Sequence, residues 1–515
     1  MNNQVSKSAL LIQIFGYCHS DTTEIKSLLL SSQERSIIKL GGNFVIVANL
    51  GPQTWIFTSA YGTVPYFFRL RQSSFSHGQT VGDALQGNLG AWRWNIEGLV
   101  DLLGLEHLTG NATLHDAVER TPPASVLHWN GEVLERWSAS WSETHAHYKG
   151  RGNPDRMVEL LCEEVARCAG SSPVLSASGG FDSRVLLATL LEAGKKPELV
   201  VQGYANSTDR LVVEAIGRRF GLKVKTIELT AEDYLNAADK ICQATSGTKP
   251  TNHWHTYIYA AKSGLTEKDH FFVGANGEFA RSYYLDKGIV SLGVDRLPLQ
   301  RTLGAFWRRK LKSTLRPKEW SAAPPELVRH LHDCEARQAA RLASLRAGGG
   351  VLRSLDHFYL EERVRHFIGN GLALYGLSTA WRAPFLSGAW VAEAEMLPRS
   401  WKLGSNWHRH ALMRLCPQLL QFPEDHVGPT MEATHSPLYW LSSRRRRPVV
   451  PYVDYNLILR DRRVLSLLVE RAKSISDLID QKTIENIAKE HLETGVRQRA
   501  VSILLGIATW RSGFR

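Results

Sequence analysis

The sequence predicts an α/β protein in two units: a β-rich front third, then a longer part built on a parallel sheet with a helical C-terminal region. Three observations predict it. Positions 1–140 carry short β-branched and aromatic runs punctuated by glycine and proline. A polar stretch holding Gly150, Gly152 and Pro154 follows at 142–155. Beyond it, short apolar runs alternate with segments of helical spacing, the rhythm of βαβ units. A chain of 515 residues also exceeds what one hydrophobic core usually supports. The expected units are 1–141 and 156–515.

In the front unit, the runs at 42–48 and 54–58 read as strands on either side of Gly51-Pro52, and 65–68 follows a Tyr-Gly turn. The run at 125–129 leads through Asn130-Gly131 into 132–134, a strong hairpin signal. Leu99, Leu102 and Leu103 predict a helix over 96–105. In the second unit, helices are expected at 156–168, 183–193 and 209–220, the last two ending at Gly194 and Gly221. Strands are expected at 174–177, 198–203, 224–229 and 270–273. Helical spacing then dominates at 325–347, 355–368, 405–415 and much of 455–509.

Composition narrows the function classes. With 43% hydrophobic and 22% charged residues the chain is folded, not disordered. No apolar run approaches the ~20 residues a membrane span needs, and the apolar patch at 9–15 lacks the cleavage site of a secretory signal. Six cysteines, at 18, 162, 168, 242, 334 and 416, are too sparse for a disulfide scaffold and lack paired zinc spacing. A cytoplasmic location is expected. The net charge of +12 suits an anionic substrate or a nucleotide. Its one dense cluster, Arg444–Arg447, has no aromatic interleaving and reads as a solvated loop, so no nucleic-acid partner is expected.

The most informative segment is Ser178-Gly179-Gly180-Phe181-Asp182-Ser183, between an expected strand and an expected helix. Glycines let a phosphate approach the backbone, and the helix start directs N–H groups and its positive dipole end at the anion. Ser178 and Ser183 add hydroxyls. Asp182 would repel phosphate unless it holds a magnesium ion. The segment lacks the spacing and the lysine of a Walker A loop.

These residues resemble the SGGxDS pyrophosphate loop of ATP pyrophosphatases, in the setting of the class B asparagine synthetase family. Further landmarks fall in the family's order: Tyr204–Asp209 with Glu214, then Gly274-Ala275-Asn276-Gly277-Glu278-Phe279, Leu360–Arg365 and Arg382-Ala383-Pro384-Phe385-Leu386. Gly41–Phe44 and Gly110–Leu114 are similar to landmarks of its glutaminase-type domain. The resemblance implies an N-terminal-nucleophile (Ntn) glutaminase-like front domain and an ATP-pyrophosphatase synthetase domain of the adenine nucleotide alpha-hydrolase type. It implies ATP and Mg2+ as cofactors. Ser176, Ser178, Gly179, Gly180, Phe181, Asp182, Ser183, Gly203 and Gly274 would bind nucleotide, Asp182 the metal, and Asp182 and Glu278 would be catalytic.

Three departures shape the expected function. The family's cysteine nucleophile follows the initiator methionine, but residue 2 is Asn2 and the first cysteine is Cys18, so glutamine hydrolysis is expected to be absent. The second glycine motif carries Glu278 alone where the family has an Asp-Glu pair; this glutamate either serves the amine or the metal, or merely caps the next helix. Many members carry a lysine after the proline-containing turn, but Gln421–Gly428 holds none, leaving His426, Lys402 or Arg409 as unsupported stand-ins. Relatives without the N-terminal cysteine include β-lactam synthetases and the macrolactam cyclases of lasso peptides. The leading expectation is therefore a macrolactam-forming ligase acting on a peptide or small carboxylate, with a precursor peptide and its leader protease as candidate partners. An asparagine synthetase-like enzyme using ammonia or glutamine, and an inactive nucleotide-binding scaffold, are the alternatives.

Bland readings fit several other residues. His253-Trp254-His255 reads as a cleft wall or packed surface, His408 and His410 as solvated or capped, and the fifteen tryptophans as core. Glu361 and Glu362 with Arg363 and Arg365 read as a salt-bridged helix face, with an arginine on nucleotide or substrate as the minor alternative.

Overall fold

The front unit is organised by strand β2, whose two faces are both buried. In this computed structural model, residues 10–72, 74–86, 92–140, 143–144, 150–284, 302, 314–320, 323–344, 350–423 and 450–514 are described. The front strands are β1 (Leu11–Cys18), β2 (Gly42–Leu50), β3 (Gln53–Thr58), β4 (Phe67–Arg71), β5 (Ser74–Gly78), β6 (Glu119–Arg120), β7 (Ser125–Trp129) and β8 (Leu134–Ser138). An antiparallel sheet runs β1-β2-β3-β7-β8, beside a three-stranded sheet β5-β4-β6. Phe44, Ile46 and Ala48 pack with Ile25, Leu29 and Ile37, whereas Val45 and Val47 face the large common core. Burial on both faces is why 42–48 reads as one apolar run rather than alternating. The Asn130-Gly131 hairpin and the helix Ile96–Leu105 form as predicted. The apolar patch at 9–15 overlaps strand β1, which among the described residues pairs only with β2, at the sheet edge.

The second unit carries five strands, β9 (Pro173–Ser176), β10 (Glu198–Gln202), β11 (Val224–Ile227), β12 (His270–Phe272) and β13 (Ala380–Arg382). They pair in parallel throughout, in the order β11-β10-β9-β12-β13. The chain lays β9, β10 and β11 outward in one direction, then crosses back to place β12 on the other side of β9. Loops leaving β9 and β12 therefore part, opening a crevice at the carboxyl ends of these strands where ligands of such sheets bind. β13 went unpredicted because Ala380-Trp381-Arg382 offers no apolar run like the Phe271-Phe272-Val273 that marks β12.

The helical C-terminal region differs from expectation in one respect. The helix expected over 355–368 is an α-helix, Val351–Phe358, continued by a ten-residue π-helix, Tyr359–Ile368, and a further α-helix, Gly369–Gly376. No helix among the described residues is long and apolar enough to cross a membrane. Arg444–Arg447 and His426 lie outside the described residues.

The units meet along a tight seam. The Tyr17 ring sits edge-on to Trp381 at 5.3 Å. Arg365, on the π-helix, donates to Gly110 O at 2.7 Å, Asn111 Oδ1 at 2.8 Å and Thr121 O at 2.8 Å. Glu362, with no exposed side-chain surface, pairs with Arg341 and accepts the Gly110 N–H at 2.8 Å. Burial pushes the Glu362 carboxyl up to about 6 against the pull of Arg341 and Arg365. Arg120 donates to Gly62 O at 2.9 Å and Arg365 O at 2.8 Å. The expected salt-bridged face is not what forms: Glu362 pairs with Arg341 in its own unit, and Arg365 turns to acceptors of the front unit. The polar stretch after the front unit is equally fixed at its far end. The Glu393 carboxylate accepts N–H groups of Arg151, Gly152 and Asn153 at 3.0, 2.7 and 3.0 Å. Only glycine fits at 150 and 152, where a Cβ would come 2.1 Å from Ala392 O and 2.2 Å from Met396 O.

Candidate active site

From the end of β9 the chain turns through Ala177–Gly180 into the helix Phe181–Glu192, so Ser178–Ser183 sits at the sheet's crevice. Gly180 occupies the N-cap with no side-chain cap, leaving first-turn N–H groups for a ligand. The two serines shape the loop. Ser183 Oγ accepts the Ser178 N–H at 3.1 Å, and Ser178 Oγ accepts the Gly180 N–H at 3.2 Å. Gly179 N–H donates to Asp209 Oδ1 at 2.6 Å, so a carboxylate holds this amide where a phosphate oxygen could take it. Arg184 ties Gly179 O, at 2.6 Å, to the carbonyls of Leu419, Phe422 and Pro423. Phe181 is a buried core ring, which leaves its backbone as what it can offer a ligand. Ser176 Oγ receives the Tyr259 hydroxyl at 3.3 Å, below the loop. Gly203 ends β10 at φ +149°, where a Cβ would lie 2.2 Å from Ser207 Oγ.

The loop after β12 comes down onto Asp182. A methyl group on Gly277 would lie 2.7 Å from Asp182 Cγ and Oδ1, and one on Gly274 3.2 Å from Asp182 Cβ. Asn276, in the left-handed region at φ +73°, turns the loop and donates through Nδ2 to Phe385 O at 2.7 Å. Val273 N–H donates to Arg382 O at 2.9 Å. The Arg382–Leu386 motif is therefore a brace for the second loop. Under the ligase reading proposed for this site, Gly277→Ala is expected to lower AMP formation by about 10²-fold with little change in melting temperature, because the new methyl must displace Asp182. A wild-type rate measured by coupled AMP assay would contradict this placement.

The two carboxylates facing each other across these loops differ electrostatically. Burial disfavours the Asp182 carboxylate, but Arg281 and His408 outweigh it and hold the carboxyl below its ordinary range. Arg281 Nη2 donates to Oδ2 at 3.4 Å, and His408 Nε2 lies 2.8 Å from Oδ1. Glu278 moves the other way, raised by burial and by the charge of Asp182 against the pull of Arg281 and Tyr359. One carboxyl is kept ionised and its neighbour is poised to take a proton, the usual separation of roles in an acid–base site. Asp182 Oδ1 is buried, and its contact with His408 is too poorly aligned to be a hydrogen bond. A hard oxygen in that condition beside a phosphate-type loop fits a magnesium ion, whose other ligands would be phosphate oxygens and water.

Several expectations change here. His408, read as solvated or capped, has no exposed side-chain surface and lies against Asp182. His410 does lie outside, on Asp155 at 2.9 Å. Glu278 is in a 3-10 turn, Gly277–Arg281, that has no side-chain cap, which removes the capping alternative. Lys402 is buried and donates to Asp356 at 2.9 Å, so it does not replace the missing lysine. Arg409 lies over the Phe181 ring at 5.3 Å, close behind the loop. Arg281 was missed, although its spacing of three from Glu278 puts both on one side of a 3-10 turn. His253 and Trp254 pack inward, against Phe367 at 4.6 Å and fully buried respectively. His19, Glu164 and Cys168 bring a nitrogen, an oxygen and a sulfur within 4.8 Å of one another. Glu164 is already paired with His19 at 2.8 Å and Arg167 at 3.3 Å, making this group an ion pair of the seam. No family model matches the chain, and no curated protein matches it.

Proposed function

We propose that the protein is an ATP- and magnesium-dependent amide-forming ligase of the asparagine synthetase type, with a glutaminase-like front unit. The observation that carries this reading is the meeting of the Ser178–Ser183 and Gly274–Glu278 loops around Asp182, at the switch point of a parallel sheet. A carboxylate oxygen attacks the α-phosphorus of ATP, the bond to the β-phosphate oxygen breaks, and pyrophosphate leaves. The amine nitrogen then attacks the acyl carbon, the acyl–oxygen bond breaks, and AMP leaves. Backbone N–H groups of the loop hold the departing phosphates. Asp182 would hold the magnesium ion, which supplies neutralising charge when bound. Arg281 and His408 keep Asp182 ionised, and Glu278 accepts the amine's proton.

Among amide-forming reactions, closure of a peptide macrolactam is the reading we favour. Holding both reacting ends on one molecule provides an effective concentration that no diffusing amine reaches. Purified protein, ATP, magnesium and labelled pyrophosphate are expected to show carboxylate-dependent exchange. A lasso-type precursor core should lose the mass of one water. Exchange that responds to free aspartate instead would indicate an asparagine synthetase-like reaction, and no exchange with any acid would indicate a scaffold. Glu278→Gln should retain exchange while ligation falls by about 10²–10³-fold. Equal loss of both steps would place Glu278 with the nucleotide rather than the amine.

A further inference from the structure

An aromatic wall leads inward from Glu278. Tyr359 stacks on Phe279 at 6.2 Å and on Tyr283 at 5.0 Å. The half-buried Arg363 guanidinium lies 4.7 Å from the Tyr283 ring centre and 4.2 Å from that of Phe367. Lys249 Nζ lies 3.9 Å from the same Phe367 ring. Other buried cations of the unit are well partnered, Arg184 by four backbone carbonyls. Lys402 and Arg497 are comparably buried, and each is matched by a carboxylate, Asp356 and Glu319. Arg363 makes no hydrogen bond or ion pair among the described residues, leaving five N–H donors unused. Lys249, 4% exposed, makes one hydrogen bond, to Phe367 O at 2.8 Å, and meets no carboxylate among the described residues. A Cβ at Gly371 would lie 3.4 Å from Lys249 Nζ, so the absence of a side chain there keeps the amine uncrowded.

Buried cations are almost always paired, because desolvation without a partner is costly. Two basic groups meet on one ring at the inner end of the wall that starts at Glu278. That carboxylate acts on Arg363 only through space. Burial and Arg363 bring the Lys249 amine down to about 7, and a bound anion would favour its charged form. We infer that Arg363 and Lys249 bind an oxyanion of the acid substrate, and that this oxyanion is a carboxylate. The phosphates have their own cradle across Asp182, and a planar carboxylate matches the guanidinium fork while aromatic faces flank it. An amino acid's α-carboxylate and a peptide's acidic side chain or C-terminus present the same group. This inference rests on the ligase reading for what the carboxylate is doing there, but not for whether it binds.

Calorimetric titration of the full chain separates the two. With MgATP present, succinate and N-acetyl-aspartate amide are the carboxylate probes, and inorganic phosphate is the competing one. Arg363→Gln and Lys249→Met are each expected to weaken carboxylate binding about tenfold, with MgATP affinity unchanged. Arg363→Lys and Lys249→Arg, which keep the charge, should fall between and guard against misfolding, checked by circular dichroism. Preference for succinate points to a free amino acid, and preference for the blocked aspartate to a peptide side chain. Carboxylate affinity indifferent to all four substitutions, or phosphate binding more tightly than either carboxylate, overturns the inference. Carboxylate binding lost in the variants, in a protein that binds no MgATP, upholds it and removes the ligase reading instead.

Discussion

Asp182→Asn is expected to reduce AMP formation by about 10³-fold while the protein still folds. The amide matches the carboxylate in size, so Gly274 and Gly277 still pack against it. What changes is charge. Arg281 and His408 lose the anion between them, and the buried Oδ1 offered to a metal becomes part of a neutral group. Magnesium dependence should therefore collapse together with rate, and exchange of labelled pyrophosphate should fall in parallel. Rapid-quench measurement of AMP across a magnesium series is the check. A variant that keeps the wild-type rate and magnesium midpoint would show that Asp182 is only a structural partner of Arg281 and His408.

The largest expected effect on stability comes from Glu393→Ala. One buried carboxylate accepts three consecutive backbone N–H groups where the chain enters the second unit. Removing it leaves those donors without their acceptor against the packed turn of Ala392–Leu397, the buried Gly152 N–H most of all. We expect a loss of about 3–5 kcal/mol, seen as a lower urea midpoint. Glu393→Gln keeps one acceptor oxygen and should lose less. Equal midpoints for all three proteins would mean that the turn holds by packing alone.

Local features of this fold were legible in the sequence, and long-range ones were not. Ser178–Ser183 could be placed because strand, glycines and helix start are consecutive, so each supports the reading of the others. The helix at 96–105 was equally clear from three leucines on one face. His408 gave no signal, since a histidine two residues from the exposed His410 is chemically the same whether it faces water or Asp182. The π-helix escaped for a similar reason. Within it Glu362 meets Arg341 and Arg365 meets the Gly110–Asn111 loop of the front unit, and nothing in helical spacing records such distant partners. Of the active-site cations, only Arg281 had a local cue, in its distance from Glu278.

The seam between the units has a practical consequence. A chain begun at 156 would keep Glu362 with Arg341 but strip Arg365 of all three acceptors that hold its guanidinium. It would also lay bare Trp381, in β13 of the sheet that carries the Ser178–Ser183 loop. Whatever chemistry the front unit does or does not perform, it serves as a keystone: dissecting this protein into a minimal catalytic fragment would remove the part that keeps the fragment in shape.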